Sequence, residues 1–301
     1  MSELTRRVLF SVVAAPVGVW VILSGDWPLA ALVAVMSALA AWEFYRMARA
    51  AGANPLADVG VALAGVVPLA VHAHFLELYT VPPALAAVTL LALLGATIWL
   101  RGLAGRPMVA AGVTVLGVLY TGGLLSFGYA LRYHDTVRFY DRLPAADQPR
   151  VAGVSASPGG ILLLMPVLLT WASDTGAYFV GRAVGGRKLV PSVSPGKTIA
   201  GAVGGLAATV VVAWVYARYV LRPVAQLGLP PAGVILFGAL VSVAAQIGDL
   251  FESLLKREAG VKDSSSIIPG HGGVLDRIDG LVFVLPTAHL LADWLLIPAP
   301  R

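Results

Sequence analysis

Acids, bases and glycines crowd into one stretch of this sequence, from Ser242 to Asp279. Asp249, Glu252 and Lys256 recur at spacings of three and four, which places them on one face of a helix. Asp276 and Asp279 are three apart, at the start of the last apolar run. Two carboxylates at that spacing can converge on one ion. Hard oxygen ligands suit Mg2+, which takes one or two carboxylates together with substrate phosphates. Lys256, Arg257 and Lys262 suit the phosphates themselves. Gly270, Gly272 and Gly273 around His271 allow close approach of backbone to a ligand. Each piece has a plainer reading: Asp276, Arg277 and Asp279 as an interfacial salt-bridge cluster, His271 as a surface-loop residue. A plain loop does not require so many glycines and acids together, and the density of the run favours a site.

Two further clusters stand upstream. Asp174 lies between Ser173 and Thr175 inside an apolar run, where an ionisable group costs about 3 kcal/mol on insertion scales. It persists by facing a partner, a metal or water. An aspartate locking two helices through a base is the competing reading, and the neighbouring hydroxyls favour function. The second cluster runs Gly181-Arg182, Gly185-Gly186-Arg187-Lys188, then Ser192-Val193-Ser194-Pro195-Gly196-Lys197-Thr198. It reads as a flexible basic loop that opens a helix, and amides at a helix start plus a lysine suit phosphate oxygens. A solvated basic loop is the alternative. A Walker A loop needs glycine five residues before Gly196. Pro191 stands there, and no strand is expected before it.

The elements that must position these residues are membrane helices. Of 301 residues, 58% are hydrophobic and 12% charged, and the mean hydropathy is +0.84. A soluble domain carries about 25% charge. The excess apolar surface must face lipid, as helix, because the apolar runs are continuous and about twice the length of a barrel strand. The fold class is all-α, polytopic, with about nine spans at 7–24, 27–48, 56–75, 81–100, 109–131, 159–182, 198–221, 232–253 and 278–297. Pro68, followed by His72 and His74, interrupts the third. The first follows Arg6 and Arg7 but shows no A-x-A cleavage pattern after Ser24-Gly25-Asp26-Trp27, so a retained helix is expected.

With the N-terminus in the cytosol, two thirds of the Lys and Arg fall on the inner side. All three polar clusters then face the cytosol. Residues 1–132 read as scaffold, with Glu43 the main ionisable group in its spans; 133–158 as an extracytoplasmic loop; and 159–301 as the catalytic region. Gly201, Gly204 and Gly205 suit close helix approach. The absence of cysteine excludes disulfides, zinc–thiolate sites and thiol nucleophiles. Basic and aromatic residues do not interleave as in a nucleic-acid surface, so no nucleic-acid partner is expected.

The stretch Ser253-x-Leu255-Lys256-Arg257-x4-Lys262-Asp263-x-Ser265-x2-Ile268-Pro269-x-His271-Gly272-Gly273-Val274-x-Asp276-Arg277-Ile278-Asp279 resembles the pattern of the phosphatidate cytidylyltransferase family. Asp174-Thr175-Gly176-Ala177-Tyr178, Gly181-Arg182 and Ser194-Pro195-Gly196-Lys197-Thr198 resemble that family's upstream motifs, in the same order. The likeness is specific over residues 170–285. Many relatives carry a glutamate or polar residue where this chain has Ala200, which puts any role at that position in doubt. The resemblance implies attack of phosphatidic acid on CTP to give CDP-diacylglycerol and pyrophosphate, with Mg2+. It implies a homodimer with its site open to the cytosolic leaflet; a bacterial inner membrane is expected.

Phosphatidate brings its own nucleophile, which leaves positioning and charge stabilisation to the protein. Asp249, Asp276 and Asp279 are expected to hold Mg2+, alone or with a second cation. Lys197, Lys256, Arg257 and Lys262 are expected to bind phosphates, and Asp174, Ser194 and His271 to line the site. Three rivals differ in class. A CTP-dependent polyprenol or phytol kinase would release CDP. A transporter would favour pseudo-symmetric halves, whereas charge here concentrates in one half. A CDP-alcohol phosphotransferase would need an Asp-Gly-x2-Ala-Arg motif, which the chain lacks.

Overall fold

Apolar runs of about twenty residues can satisfy their backbone groups in lipid only as helix, and the computed structural model is built of such helices. It describes residues 3–141, 150–151, 154–155, 157–268, 270 and 272–299. The order is α1 (Glu3–Ser24), α2 (Asp26–Ala50), α3 (Ala57–Phe75), α4 (Pro83–Leu100), α5 (Pro107–Gly117), α6 (Phe127–Arg132), α7 (Asp135–Asp141), β1 (Arg150–Val151), β2 (Val154–Ser155) and α8 (Pro158–Val184). There follow β3 (Lys188–Val190), β4 (Ser194–Thr198), α9 (Ile199–Tyr216), α10 (Arg222–Ala225), β5 (Leu227–Gly228), α11 (Pro231–Glu258), α12 (Leu275–Leu295) and β6 (Ile297–Pro298). The strands pair as three short antiparallel ribbons: β1 with β2, β3 with β4, β5 with β6.

Among the described residues, eight helical stretches are long and apolar enough to cross a membrane; they begin at Asp26, Ala57, Pro83, Pro107, Pro158, Ile199, Pro231 and Leu275. The first of the nine expected spans falls on α1, whose described apolar part is the shorter Val12–Ser24. The protein is an all-α polytopic membrane protein. Pro68 does not break α3, which runs through it to Phe75. Two spans contain a wider π turn, at Val118–Gly123 and Ala217–Leu221. α11 extends beyond the apolar run to Glu258 and carries Lys256 and Arg257 in its last turn, a favourable place for bases against the helix dipole. α12 begins at Leu275, earlier than hydropathy indicates, where the Glu43 carboxylate accepts from Val274 N and Leu275 N.

The contacts divide into two units. The first comprises Met1–Val8, Ala30–Ser126 and Leu255–Arg277. Its centre is Tyr45, fully buried on α2, whose ring lies against Gly60 and Gly117 and leaves no room for a Cβ at either. The Tyr45 hydroxyl donates to the Thr114 carbonyl at 2.6 Å, and the Thr114 hydroxyl accepts from Leu56 N at 2.8 Å. Leu56, Leu93 and Ala111 form an apolar core beside them.

The second unit comprises Leu9–Leu29, Phe127–Leu254 and Ile278–Arg301. Lipid offers helices no hydrophobic reason to associate, so small residues and close packing must do it. α8 and α9 follow that rule: a Cβ at Gly201 would lie 2.8 Å from the Ala177 carbonyl, and one at Gly205 would lie 2.7 Å from the Ser173 carbonyl. Buried hydroxyls tie the seams. Ser173 and Ser242 share a hydrogen bond of 2.8 Å between α8 and α11, and Tyr216 donates to the Ile161 carbonyl at 2.7 Å.

Candidate active site

The second unit holds a cleft of about 560 Å³. α8 contributes Asp174, Tyr178, Gly181 and Arg182; the β3–β4 ribbon contributes Leu189, Gly196 and Lys197; α9 contributes Gly201 and Ala202; α11 contributes Gln246 and Asp249. Three expected site residues, Asp174, Lys197 and Asp249, thus meet in one cavity. Lys197 Nζ lies 2.5 Å from Asp249 Oδ2, and both side chains remain about one third exposed (28% and 36%). Arg182 donates to the Tyr178 hydroxyl at 2.8 Å along α8.

The segment that carries Lys197 is ordered differently from the expected flexible loop. A strand does precede α9: β3 and β4 pair Lys188 with Thr198 and Val190 with Ser194, with an irregularity between. Val190 and Val193 favour extended backbone, and Val193 N donates to the Val190 carbonyl across the turn at 3.2 Å. Ser194 is fixed on β4 by this pairing. β4 feeds directly into α9, where the Thr198 side chain caps the helix by accepting from Gly201 N at 3.0 Å. Thr198 also lines the cleft, so the positive end of the α9 dipole borders it. On the opposite wall, Gln246 is held by donating to the Ala202 carbonyl and to Ser242 Oγ, each at 3.1 Å.

Asp279 belongs to this unit as well. Gly248, next to Asp249, packs so closely on the Asp279 backbone carbonyl that no Cβ fits, and Phe251 meets Phe283 edge-on at 5.8 Å. The crossing of α11 with α12 therefore brings the Asp249 turn beside Asp279. The Asp279 carboxylate accepts from Gly280 N at 2.7 Å.

In the first unit, Lys256 and Asp276 form a second ion pair of 2.7 Å, with side chains only 15% and 6% exposed. Asp276 Oδ2 also accepts from Ser264 N at 3.0 Å, Ser264 Oγ at 2.8 Å and Gly273 N at 2.7 Å. Ser264 Oγ shares its one proton between Asp276 and, at 2.9 Å, Glu43, a residue that sequence alone assigns to the scaffold. Glu43 is fully buried. Its carboxylate accepts from Ser264 Oγ (2.9 Å), Ser265 Oγ (2.5 Å), Val274 N (2.9 Å) and Leu275 N (2.7 Å). Arg46 donates to the Ser264 carbonyl. Glu43 therefore anchors the motif loop and the first turn of α12. Its signal in the sequence is that it is the main acid within the apolar runs of the first five spans. Arg257 and Lys262 are exposed, and His271 lies outside the described residues.

Chemically, the donor set fits a hard cation and a polyanion. Asp249 offers a cleft-lining carboxylate that meets the Lys197 ammonium and accepts a long hydrogen bond from Ser253 Oγ at 3.5 Å, and oxygen donors of this kind take Mg2+. Asp276 is more heavily engaged, with four donors on its two oxygens.

The sequence profile of the cytidylyltransferase family matches residues 5–295. The chain is 31% identical to the phosphatidate cytidylyltransferase of Bacillus subtilis over 97% of its own length and 98% of that protein. It is 31% identical to that of Synechocystis over 97% of both chains. A 128-residue stretch, 42% of this chain, is 49% identical to part of the Haemophilus influenzae phosphatidate cytidylyltransferase, 44% of that protein. This end-to-end likeness, over the helices that build the Lys197–Asp249 cleft and the Glu43-anchored motif loop, shows that the chain belongs to the cytidylyltransferase family.

Proposed function

We propose that this protein transfers the cytidylyl group of CTP to phosphatidic acid, giving CDP-diacylglycerol and pyrophosphate. The observation that carries the reading is the match to named phosphatidate cytidylyltransferases along nearly the whole of both chains. The cleft suits this chemistry, because it sets Lys197 and Arg182 beside Asp174 and Asp249, bases for phosphate oxygens and acids for a cation.

A phosphatidate oxygen attacks the α-phosphorus of CTP, the bond from that phosphorus to the bridging oxygen breaks, and pyrophosphate leaves. No protein nucleophile is required. Lys197 and Arg182 bind and orient the phosphates, and the α9 N-terminus adds positive potential. Asp249 orients Lys197 when no substrate is bound. Asp249 and Asp279 are the carboxylates of this unit proposed to hold Mg2+, with Asp276 the third acid of the motif. The ion, when bound, neutralises charge on the phosphate oxygens. Lys256, Arg257 and Lys262 are proposed to engage phosphate, and Ser194 and His271 to contact substrate. The protein is proposed to act as a homodimer in a bacterial inner membrane, with the N-terminus and these basic loops in the cytosol; the excess of Lys and Arg on that side supports this orientation.

Product analysis tests the reaction. With CTP, phosphatidate and Mg2+, pyrophosphate is expected in step with lipid product. Release of CDP, with phosphate added to a lipid alcohol, would replace this reading with the kinase reading.

A further inference from the structure

The far half of α12 carries a polar group that the proposed reaction does not use. His289 and Asp293 are four residues apart on α12, and His134 stands between α6 and α7. His134 Nε2 lies 3.0 Å from Asp293 Oδ1, and His289 Nε2 lies 3.7 Å from Asp293 Oδ2. Among the described residues this is the one place where three His, Asp or Glu side chains each offer a ligand atom within 4.8 Å of the others. His289 stands ten residues beyond Asp279, about 15 Å along the helix axis.

Two features set His289 apart. His289 Nδ1 is buried with no hydrogen-bond partner, a state that costs free energy. Its other nitrogen is 3.7 Å from the nearest carboxylate oxygen, beyond hydrogen-bond range. The imidazole is nevertheless held in place by Phe127, with ring centres 5.6 Å apart, and by the His134 ring at 6.1 Å. Exposure is graded: His134 is 7% exposed, His289 25% and Asp293 46%. An ion thus has an entrance on the Asp293 side. Asp135 adds further negative charge close enough to act on His289.

We propose that His134, His289 and Asp293 form a binding site for a divalent first-row transition metal of the Zn2+ class, separate from the Mg2+ chemistry of the cleft. Two imidazoles and one carboxylate, with water in a fourth position, are a standard ligand set for such an ion and a poor one for Mg2+. Ligands 2.0–2.2 Å from a tetrahedral ion lie about 3.4 Å apart, so the present group closes on one with shifts of about 1 Å. His134 Nδ1 now accepts from Thr136 N at 3.3 Å, which leaves the ring proton on Nε2. Ligation through Nε2 uses the other tautomer: the proton moves to Nδ1 and the long Thr136 contact is given up. The bound ion ties the α6–α7 junction to the end of α12. This inference does not depend on the proposed reaction.

The test uses tag-free full-length protein in detergent, stripped with chelator and titrated with Zn2+, and separately with Co2+, in excess Mg2+. One Zn2+ per chain is expected, with a higher unfolding temperature, and Co2+ is expected to give visible absorption from a histidine-ligated centre. Loss of a ligand should exceed the 10–100-fold cost of losing an outer-shell partner. His289→Ala is therefore expected to weaken binding at least about tenfold, and Asp249→Asn to leave it unchanged. The Co2+ spectrum of the unaltered protein decides the matter if His289→Ala does not fold. No stoichiometric Zn2+ and no Co2+ spectrum, or binding lost in Asp249→Asn but kept in His289→Ala, would overturn the proposal.

Discussion

Glu43 Oε2 accepts the backbone N–H of Leu275 at 2.7 Å, so a carboxylate on α2 holds the first turn of α12. Ser264, Ser265 and Val274 complete its set of donors. Glu43→Gln turns one carboxylate oxygen into an amide NH2 that faces a donor-only backbone N–H, of Val274 or of Leu275, and a buried donor left unsatisfied costs about 1–3 kcal/mol. We expect a lower unfolding temperature, by an amount corresponding to about 3 kcal/mol, and loss of most CTP-dependent turnover. Thermal unfolding in detergent, alongside the activity assay, checks both. Unchanged stability and turnover would show that the anchor is dispensable.

Gly273 makes that anchor possible. A Cβ there would lie 2.5 Å from Glu43 Oε1 and would also strike the Ser264 hydroxyl. Gly273→Ala should therefore reproduce the Glu43→Gln defect. Gly95→Ala is the control: on α4 a Cβ at Gly95 meets nothing within 4 Å, and the change should be neutral or stabilising by up to about 1 kcal/mol. Comparison of the two unfolding temperatures measures the difference.

These anchors mark the limit of what the sequence could tell. The spans were legible because apolar length alone dictates helix in lipid; even α3 with Pro68 and α8 with Asp174 run unbroken. Asp174, Lys197 and Asp249 stood out as candidate site residues by type, and they share one cleft. The ordering of Lys197 on β4 was not, because three- and five-residue strands leave too short a pattern to read. Glu43 meets Leu275 across 232 positions of chain, and no local spacing encodes such a contact. Asp276 has the sequence context of an open metal ligand, yet its partners include the backbone N–H groups of Ser264 and Gly273, which composition does not reveal.

The Lys197–Asp249 pair separates binding from turnover. If Lys197 holds a CTP phosphate as proposed, in both ground and transition states, Lys197→Met should raise KM for CTP about tenfold or more with a smaller fall in kcat. Asp249→Asn should lower kcat at least about 100-fold and shift the Mg2+ dependence to higher concentration. Because the two side chains touch, the double variant should show both defects and depart from simple additivity. Steady-state kinetics at varied CTP and Mg2+ give all three values. Full Mg2+-dependent turnover in Asp249→Asn would remove that residue from the cation site.

The buried Ser173–Ser242 hydrogen bond should matter less than its position suggests. Interhelical hydrogen bonds in membrane proteins average about 0.6 kcal/mol, and Gln246 keeps the Ala202 carbonyl when Ser242 is lost. Ser242→Ala is expected to change stability by less than about 1 kcal/mol, with KM for CTP nearly unaltered. A severe loss of CTP affinity would mean that Ser242 fixes Gln246 for nucleotide contact.

The central claim is that the α-phosphate of CTP ends in lipid while the two outer phosphates leave together. Purified protein should be given phosphatidate, Mg2+ and CTP labelled separately at the α- and γ-phosphates. The account predicts α-label in a lipid product and γ-label in pyrophosphate, in equal amounts, with both abolished by chelation of Mg2+. Label from the γ-phosphate appearing in lipid, with CDP left behind, would contradict it.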